Sequence, residues 1–314
     1  MQKKIYFQQR NQFLYIQFTL MFKTAIEKVG SFTRPIHFIS NVYGEPTVRP
    51  GAATLFFVND NGVAITCKHV TAVIKSAAEI LGRYKNFQQE KNALLKSGSY
   101  NKKIKELKTK YGYDKPDNAC QLLYQMVDCV DFKSIDVFEH PVYDVAILKM
   151  KDFSRKFYTG HAVFAKDSTE LQPGVFLCRL GFPFPEFTNF SYDKNNETIN
   201  WTNDAVRMVR FPIEGMATRH FGNAEGKIFG VEMSTPGLKG QSGGPLFDAN
   251  GIVYGMQSMT NHLHLGFDMN NQEIYSEGRK IKITNQPLLH VGNCVHVDVI
   301  KQFLKEYQIE FFEE

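Results

Sequence analysis

The sequence predicts an all-β fold with helical insertions, on three observations. Runs rich in β-forming residues at 52–58 and 63–66 flank an Asn-Asp-Asn-Gly segment, and Asn-Gly tolerates the positive φ of a tight turn. A further strand is indicated at 145–150. Apolar side chains recur at helical spacing over 71–131 and again near the C-terminus, away from these strands. The 314 residues exceed one average domain, and 43% of them are hydrophobic, which is enough for a packed core.

The segment 71–131 is predicted to be a helical insertion between two strands. Val73, Ala77 and Tyr84 follow helical spacing, and a second helix is expected near 102–110. This insertion could dock a regulatory partner, and its lysine-rich part could contact nucleic acid, but most such runs are a solvated helix face. The net charge of +5 is mild, so it does not favour a nucleic-acid partner. No membrane partner is expected, because no apolar run reaches the ~20 residues that span a bilayer.

The later part of the chain alternates strands with polar segments. The Asn-rich stretch 186–204 is expected to be a surface loop, and 268–286 a charged insertion with one hairpin. Apolar residues at helical spacing predict a C-terminal helix over 298–310, with Asp298 as its N-cap.

The most informative segment is Gly-Gln-Ser-Gly-Gly-Pro-Leu at 240–246. Its glycines permit backbone conformations that other residues avoid, so the chain can turn tightly around Ser242. Such a turn would leave the N–H groups of Gly240 and Ser242 free to point at one spot beside the Ser242 hydroxyl. That geometry is what an oxyanion hole requires.

Two upstream motifs supply the groups that a serine nucleophile needs. Thr-Cys-Lys-His ends at His69, and Asp-Val-Ala-Ile-Leu-Lys begins at Asp144. Together with the motif around Ser242, they resemble the trypsin-like (chymotrypsin-fold) serine proteases, in particular the bacterial HtrA-type branch. The chain order His, Asp, Ser is also the order of that family. The residues 171–183 and 251–258 are similar to further strands of its second barrel.

The resemblance implies two antiparallel β-barrels with the active site in the cleft between them. It places an N-terminal extension of uncertain status at 1–25, the first barrel at 26–160 and the second barrel at 161–314. The first barrel would carry His69, Asp144 and the insertion, and the second would carry Ser242 and the C-terminal helix.

The resemblance also implies a serine endopeptidase that acts on a protein or peptide through an acyl-enzyme intermediate, without a cofactor. Ser242 would be the nucleophile, His69 the general base and Asp144 the group that orients the histidine. Activation-cleaved trypsins carry Asp immediately before the serine, whereas this chain has Gln241, so trypsin-type zymogen cleavage is not expected. The large insertions favour a narrow substrate range. The alternative is a protease-fold module that binds peptides or partners without catalysis.

The register from Ser242 predicts a substrate pocket with Pro236 and Gly237 at its floor. Its wall is expected at Ser258, Met259 and Thr260. None of these five residues is a carboxylate, so the sequence favours a small or apolar side chain before the scissile bond over a basic one.

Cysteine and histidine leave two alternatives open. The five cysteines are odd in number and include no Cys-x-x-Cys pair, which favours reduced thiols and a bacterial cytoplasmic setting. No metal site is predicted, although a set drawn from His262, His264, His290, Cys294 and His296 is the alternative to buried structural residues. His140, which lies close to Asp144 along the chain, is the rival general base.

The first twenty residues loosely mimic a signal peptide, with basic residues ahead of a short apolar run. Acting as a signal, they would make the protein secreted or periplasmic. The run is interrupted by Gln17 and Thr19 and lacks a small-x-small cleavage site, and Met21 is an alternative start.

Overall fold

The computed structural model describes residues 21–94, 100–116, 118–207, 209–267, 269–276, 279–285 and 287–314. The helices there are α1 Lys23–Gly30, α2 Lys68–Leu94, α3 Tyr100–Tyr111 and α4 Val297–Glu306. The first nine strands are β1 Thr33–Val42, β2 Arg49–Phe57, β3 Val63–Thr66, β4 Ala119–Met126, β5 Ser134–Glu139, β6 Ala146–Lys151, β7 Val163–Phe164, β8 Phe176–Gly181 and β9 Phe190–Asp193. The others are β10 Thr198–Trp201, β11 Phe211–Gly222, β12 Ile228–Met233, β13 Pro245–Phe247, β14 Ile252–His264, β15 Met269–Ser276, β16 Arg279–Asn285, β17 Leu288–His296 and β18 Phe312–Glu313.

The first sheet is antiparallel and curled, with strand order β4-β1-β2-β3-β6-β5. All four residues of β3 are buried, and the first three are apolar, so the strand does not show the alternation of a half-exposed strand. The main hydrophobic core lies against this sheet and includes Leu55, Phe57 and Ile147. The predicted strands at 52–58, 63–66 and 145–150 therefore form the centre of this layer.

The second sheet closes on itself, because β13 pairs with both β8 and β14. The ring runs β13-β8-β11-β12-β17-β14. The short strand β7 adds to β14 in parallel, and β18 adds to β7 in parallel. Leu177, Val231 and Leu246 are among the buried residues at its centre. The two sheets give the predicted chymotrypsin-like architecture of two β-barrels.

The insertion 71–131 differs from its description as wholly helical. Helices α2 and α3 occupy its first part, but β4 then pairs antiparallel with β1 and becomes an edge strand of the first sheet. The insertion has a small core of its own that includes Phe87, Leu107, Tyr113 and Cys120. Cys120 lies on β4, so this strand links the helices of the insertion to the first sheet. Helical spacing does not reveal the pairing of β4 with β1, because β1 is distant along the chain.

Three other segments refine the sequence-based expectations. The polar stretch 186–204 contains the hairpin β9–β10, and the insertion 268–286 contains the hairpin β15–β16. The C-terminal helix is present as α4, ending at Glu306. Its N-cap is His296, whose ring accepts a hydrogen bond from the Asp298 N–H at 3.2 Å, so Asp298 lies in the first turn instead.

The predicted boundary near residue 160 lies between β6, which ends the first sheet, and β7, which belongs to the second. Of the predicted N-terminal extension, 1–20 and the signal-like run within it lie outside the described residues. Its last residues enter α1, where Phe22 and Ala25 are buried in the main core. Within the described part of the chain, no helix has the length and apolar character to cross a bilayer.

A buried histidine predicts acid sensitivity. His37 on β1 is 3% exposed and stacks on Phe187 with ring centroids 3.9 Å apart. Burial lowers the pKa of His37 from 6.5 to about 4, because the charged ring would lose its hydration. Between pH 6.5 and 4, His37 is therefore protonated in the unfolded chain and neutral in the folded chain. The free energy of unfolding falls as the pH drops through this range.

We expect His37→Gln to remove about 2 kcal/mol of the difference between the free energies of unfolding at pH 7.5 and pH 4.5. Urea denaturation at both pH values measures that difference in the variant and in the unchanged protein. The prediction fails when the two proteins lose the same stability on acidification.

Candidate active site

His69 and Asp144 lie next to the ends of two neighbouring strands of the first sheet. His69 lies in the first turn of α2, which begins two residues after β3 ends, and Asp144 lies two residues before β6 begins. Because Thr66 of β3 pairs with Ala146 of β6, the two side chains meet at one edge of the sheet. The His69 ring Nδ1 lies 2.8 Å from the Asp144 Oδ2, and the His69 N–H donates to the Asp144 Oδ1 at 3.0 Å.

Ser258 of the second barrel completes the surroundings of the carboxylate. Its hydroxyl donates to Asp144 Oδ2 at 2.5 Å. Burial acts to raise the pKa of Asp144, but the hydrogen bonds from His69 and Ser258 outweigh it and lower that pKa to about 2. Asp144 is therefore ionised at neutral pH and can stabilise a positive charge on His69.

The loop that carries Ser242 is fixed between the two barrels. The Thr54 N–H donates to the Ser242 carbonyl at 2.9 Å from the first barrel, and the Gly243 N–H donates to the Gln257 carbonyl at 2.9 Å in the second. The Ser242 hydroxyl donates to the Ser258 carbonyl at 3.2 Å. Within the described residues, no hydrogen bond joins this hydroxyl to the His69 ring. Ser258 thus touches Ser242 through its carbonyl and Asp144 through its hydroxyl.

The backbone of this loop has the form that an oxyanion hole needs. The N–H groups of Gly240 and Ser242 have no acceptor among the described residues. Gly240 has a φ of 104°, and a Cβ there would lie 2.6 Å from the Phe182 carbonyl oxygen, so a larger residue is excluded. Two unused donors beside one hydroxyl could hold an anionic oxygen.

Gln241 fastens the loop from inside. Its side chain is fully buried; its Oε1 accepts from the Leu238 N–H at 3.0 Å, and its Nε2 donates to the Phe211 carbonyl at 3.0 Å. A neutral amide thus stabilises the turn through two backbone groups, at the position where activation-cleaved trypsins use a carboxylate.

A pocket of about 410 Å³ opens beside Ser242. All five residues predicted from the register line it, namely Pro236, Gly237, Ser258, Met259 and Thr260. It is lined also by Leu238, Lys239, Gln257, His262 and His290, which the sequence reasoning did not assign to it. The two histidines line the pocket together because β14 pairs with β17, which places His262 directly opposite His290. Only the register of β14 against β17 shows that the two histidines are neighbours, since 27 residues separate them along the chain.

A second, more apolar cavity of about 330 Å³ lies on the other side of Ser258 and Met259. Val142, Phe221 and Phe229 contribute apolar surface to it. It adjoins Asp144, so an extended peptide that reaches Ser242 could bury an apolar side chain there.

The rival general base has another role. The His140 Nδ1 accepts hydrogen bonds from the N–H groups of Val142 and Tyr143 at 3.1 and 3.0 Å. Burial lowers the pKa of His140, and its ring lies against Phe303. His140 therefore shapes the loop that presents Asp144, whereas His69 contacts the carboxylate.

The alternative metal ligands do not assemble into one site. His262 and His290 are in contact, but His296 caps α4 and Cys294 is buried near Gln257. Among the described residues, the three potential ligand atoms that come within 4.8 Å of one another belong to Cys67, His69 and Asp144. Burial raises the pKa of the Cys67 thiol well above its usual value, which disfavours the thiolate that a metal requires.

A serine hydroxyl, a histidine bound to an ionised carboxylate, and unused backbone donors are the groups of acyl transfer. The two-barrel fold and these groups together are those of the trypsin-like peptidase class. Residues 53–256 match the family described as the trypsin-like peptidase domain, and the chain belongs to that family.

Among solved structures, the chain is similar to the HtrA-type protease AlgW, determined with a tripeptide. The identity is 13% and the TM-score is 0.43, over 90% of this chain. The chain spans 62% of the length of that protein. A comparison with curated protein sequences finds no match.

Proposed function

We propose that this chain hydrolyses peptide bonds of a protein or peptide substrate through Ser242, His69 and Asp144. The observation that carries the proposal is the 2.8 Å contact between the His69 Nδ1 and Asp144, with the second His69 ring nitrogen left to act as a base. Asp144 holds the imidazole in the tautomer that can accept a proton and stabilises the imidazolium that forms.

The reaction begins when the Ser242 hydroxyl leaves the Ser258 carbonyl and turns toward His69. His69 takes its proton as the Ser242 oxygen bonds to the substrate carbonyl carbon. The Gly240 and Ser242 N–H groups stabilise the oxyanion that develops. His69 then donates the proton to the leaving amine, and water hydrolyses the acyl-enzyme by the same steps.

Two further parts of the proposal rest on single observations. The hydrogen bonds of Gln241 to the Leu238 N–H and the Phe211 carbonyl support an active loop that forms without trypsin-type zymogen cleavage. All five cysteines are free and buried, which supports a reducing, cytoplasmic setting.

A fluorophosphonate probe tests the proposal, because it reacts only with an activated serine. We expect the unchanged protein and Ser40→Ala, a variant on β1 away from the site, to be labelled, and Ser242→Ala to remain unlabelled. Turnover of a peptide library should follow the same pattern. Absence of labelling and turnover in the unchanged protein would instead favour a peptide-binding module.

A further inference from the structure

The pocket beside Ser242 is bordered by basic side chains. Lys239, His262 and His290 line it, and none of the described residues that line it is a carboxylate. Asp144, the carboxylate that contacts Ser258, is already engaged by His69 and Ser258. A ligand in the pocket therefore meets hydrogen-bond donors and positive charge without a competing anion.

The two histidines form one unit. They are directly opposite in the β14–β17 ladder, and their Nδ1 atoms lie 2.5 Å apart. At that distance one Nδ1 donates a hydrogen and the other accepts it. Both histidines are exposed and line the pocket, so an anion placed there can accept a hydrogen bond from the pair.

A buried cation lies behind the same wall. Arg179 on β8 is fully buried; its Nη1 donates to the Gln257 Oε1 at 2.6 Å, and its Nη2 donates to the Thr235 carbonyl at 2.9 Å. Its Nε has no partner among the described residues. A Cβ at Gly292 would lie 2.1 Å from the Arg179 Nη1 and 2.8 Å from the Thr235 carbonyl oxygen, so the glycine leaves room for the guanidinium in this position.

The charge of Arg179 is not balanced by a carboxylate. Its hydrogen bonds go to neutral oxygens of Gln257 and Thr235, and no ion pair of the described residues includes it. Burial lowers the pKa of Arg179, which reflects the cost of holding this charge away from water. Gln257 contacts Arg179 with its amide oxygen and also lines the pocket, so an anion there would lie one side chain away from the guanidinium. The electric field of the guanidinium would be only weakly screened across the buried Gln257 amide.

We propose that this pocket receives an acidic side chain, Glu or Asp, at the substrate residue before the scissile bond. The carboxylate would bind the His262–His290 pair, with Lys239 at the rim and Arg179 behind Gln257. This specificity rests on the proposed peptidase function and replaces the small or apolar preference that the sequence suggested.

Peptides that differ only at the residue before the scissile bond test the specificity. We expect kcat/KM for Glu or Asp to exceed that for Gln or Asn by about tenfold or more, because the amide keeps the shape but removes the charge. A ratio near one, or a preference for Ala, Leu or Lys, would overturn the proposal.

Matched variants assign the preference to the histidine pair. The double variant His262→Ala/His290→Ala should lose most of the Glu-to-Gln ratio. His264→Ala removes a ring from the same strand outside the pocket, where it accepts from the Gly266 N–H, and should keep the ratio. An acid preference that survives in the double variant would contradict the role of the pair.

Binding separates failure of the specificity from failure of the peptidase. Peptides that end in Glu or in Gln, the products of such cleavage, can be titrated into Ser242→Ala by calorimetry. About tenfold tighter binding of the Glu peptide would support the pocket assignment even if the unchanged protein neither reacts with the fluorophosphonate nor cleaves any peptide. Labelling of the unchanged protein without a Glu preference in turnover or binding would leave the peptidase standing and refute the acidic pocket.

Discussion

Asp144→Asn is expected to lower kcat/KM by about a thousandfold or more while the protein stays folded. The carboxylate accepts hydrogen bonds from the His69 N–H, from Ser258 and from the His69 ring. An asparagine amide can donate from its N–H₂ group to the His69 Nδ1. This favours the tautomer with the hydrogen on Nε2, the nitrogen that must accept the proton of Ser242. It also removes the negative charge that stabilises the imidazolium.

Steady-state kinetics on a cleaved peptide, normalised by fluorophosphonate titration of the unchanged protein, measures this loss. Asp136→Asn is the matched control, because it removes a partly exposed carboxylate whose partner is Lys151, away from the site. We expect the control to keep turnover within about twofold, since exposed ion pairs contribute little. A loss below about tenfold in Asp144→Asn would mean that His69 is not oriented by this carboxylate.

Gly243→Ala is expected to destabilise the fold by about 2 kcal/mol or more and to abolish turnover. Gly243 has a φ of 89°, and a Cβ there would lie 2.0 Å from the Thr54 carbonyl oxygen and 2.4 Å from the Thr66 hydroxyl. These atoms belong to β2 and β3 of the first barrel and cannot withdraw without moving the sheet. The methyl group would therefore push the Ser242 loop away from Thr54 and disrupt the alignment of the two barrels.

Gly174→Ala separates the cost of the backbone conformation from the cost of the steric clash. Gly174 has a φ of 99°, but no atom lies within 4 Å of a Cβ added there. It should cost about 1 kcal/mol, the price of the backbone conformation alone. Urea denaturation compares the free energies of unfolding of the two variants. Equal destabilisation would show that the contact with the first barrel does not constrain the nucleophile loop.

Local chemistry explains which features were predictable from the sequence. The strands at 52–58, 63–66 and 145–150, the C-terminal helix and the two-barrel class follow from short-range patterns and from three motifs in a specific order. The same motifs pointed to His69, Asp144 and Ser242, because a histidine after a strand, an aspartate before one and a serine among glycines each have a local signature. The helical reading of 71–131 missed β4, whose pairing partner lies about eighty residues earlier in the chain.

The sequence by itself therefore determined the class of the protein, its family and the residues that carry the proposed chemistry, because those depend on local backbone geometry and residue type. Tertiary structure alone decided what surrounds them. Ser258 joins Asp144 to the Ser242 loop, His262 meets His290, and Arg179 lies behind the pocket wall without a carboxylate partner. These contacts arise from strand register and barrel closure, which bring together residues that are distant along the chain. No local sequence pattern predicts such contacts.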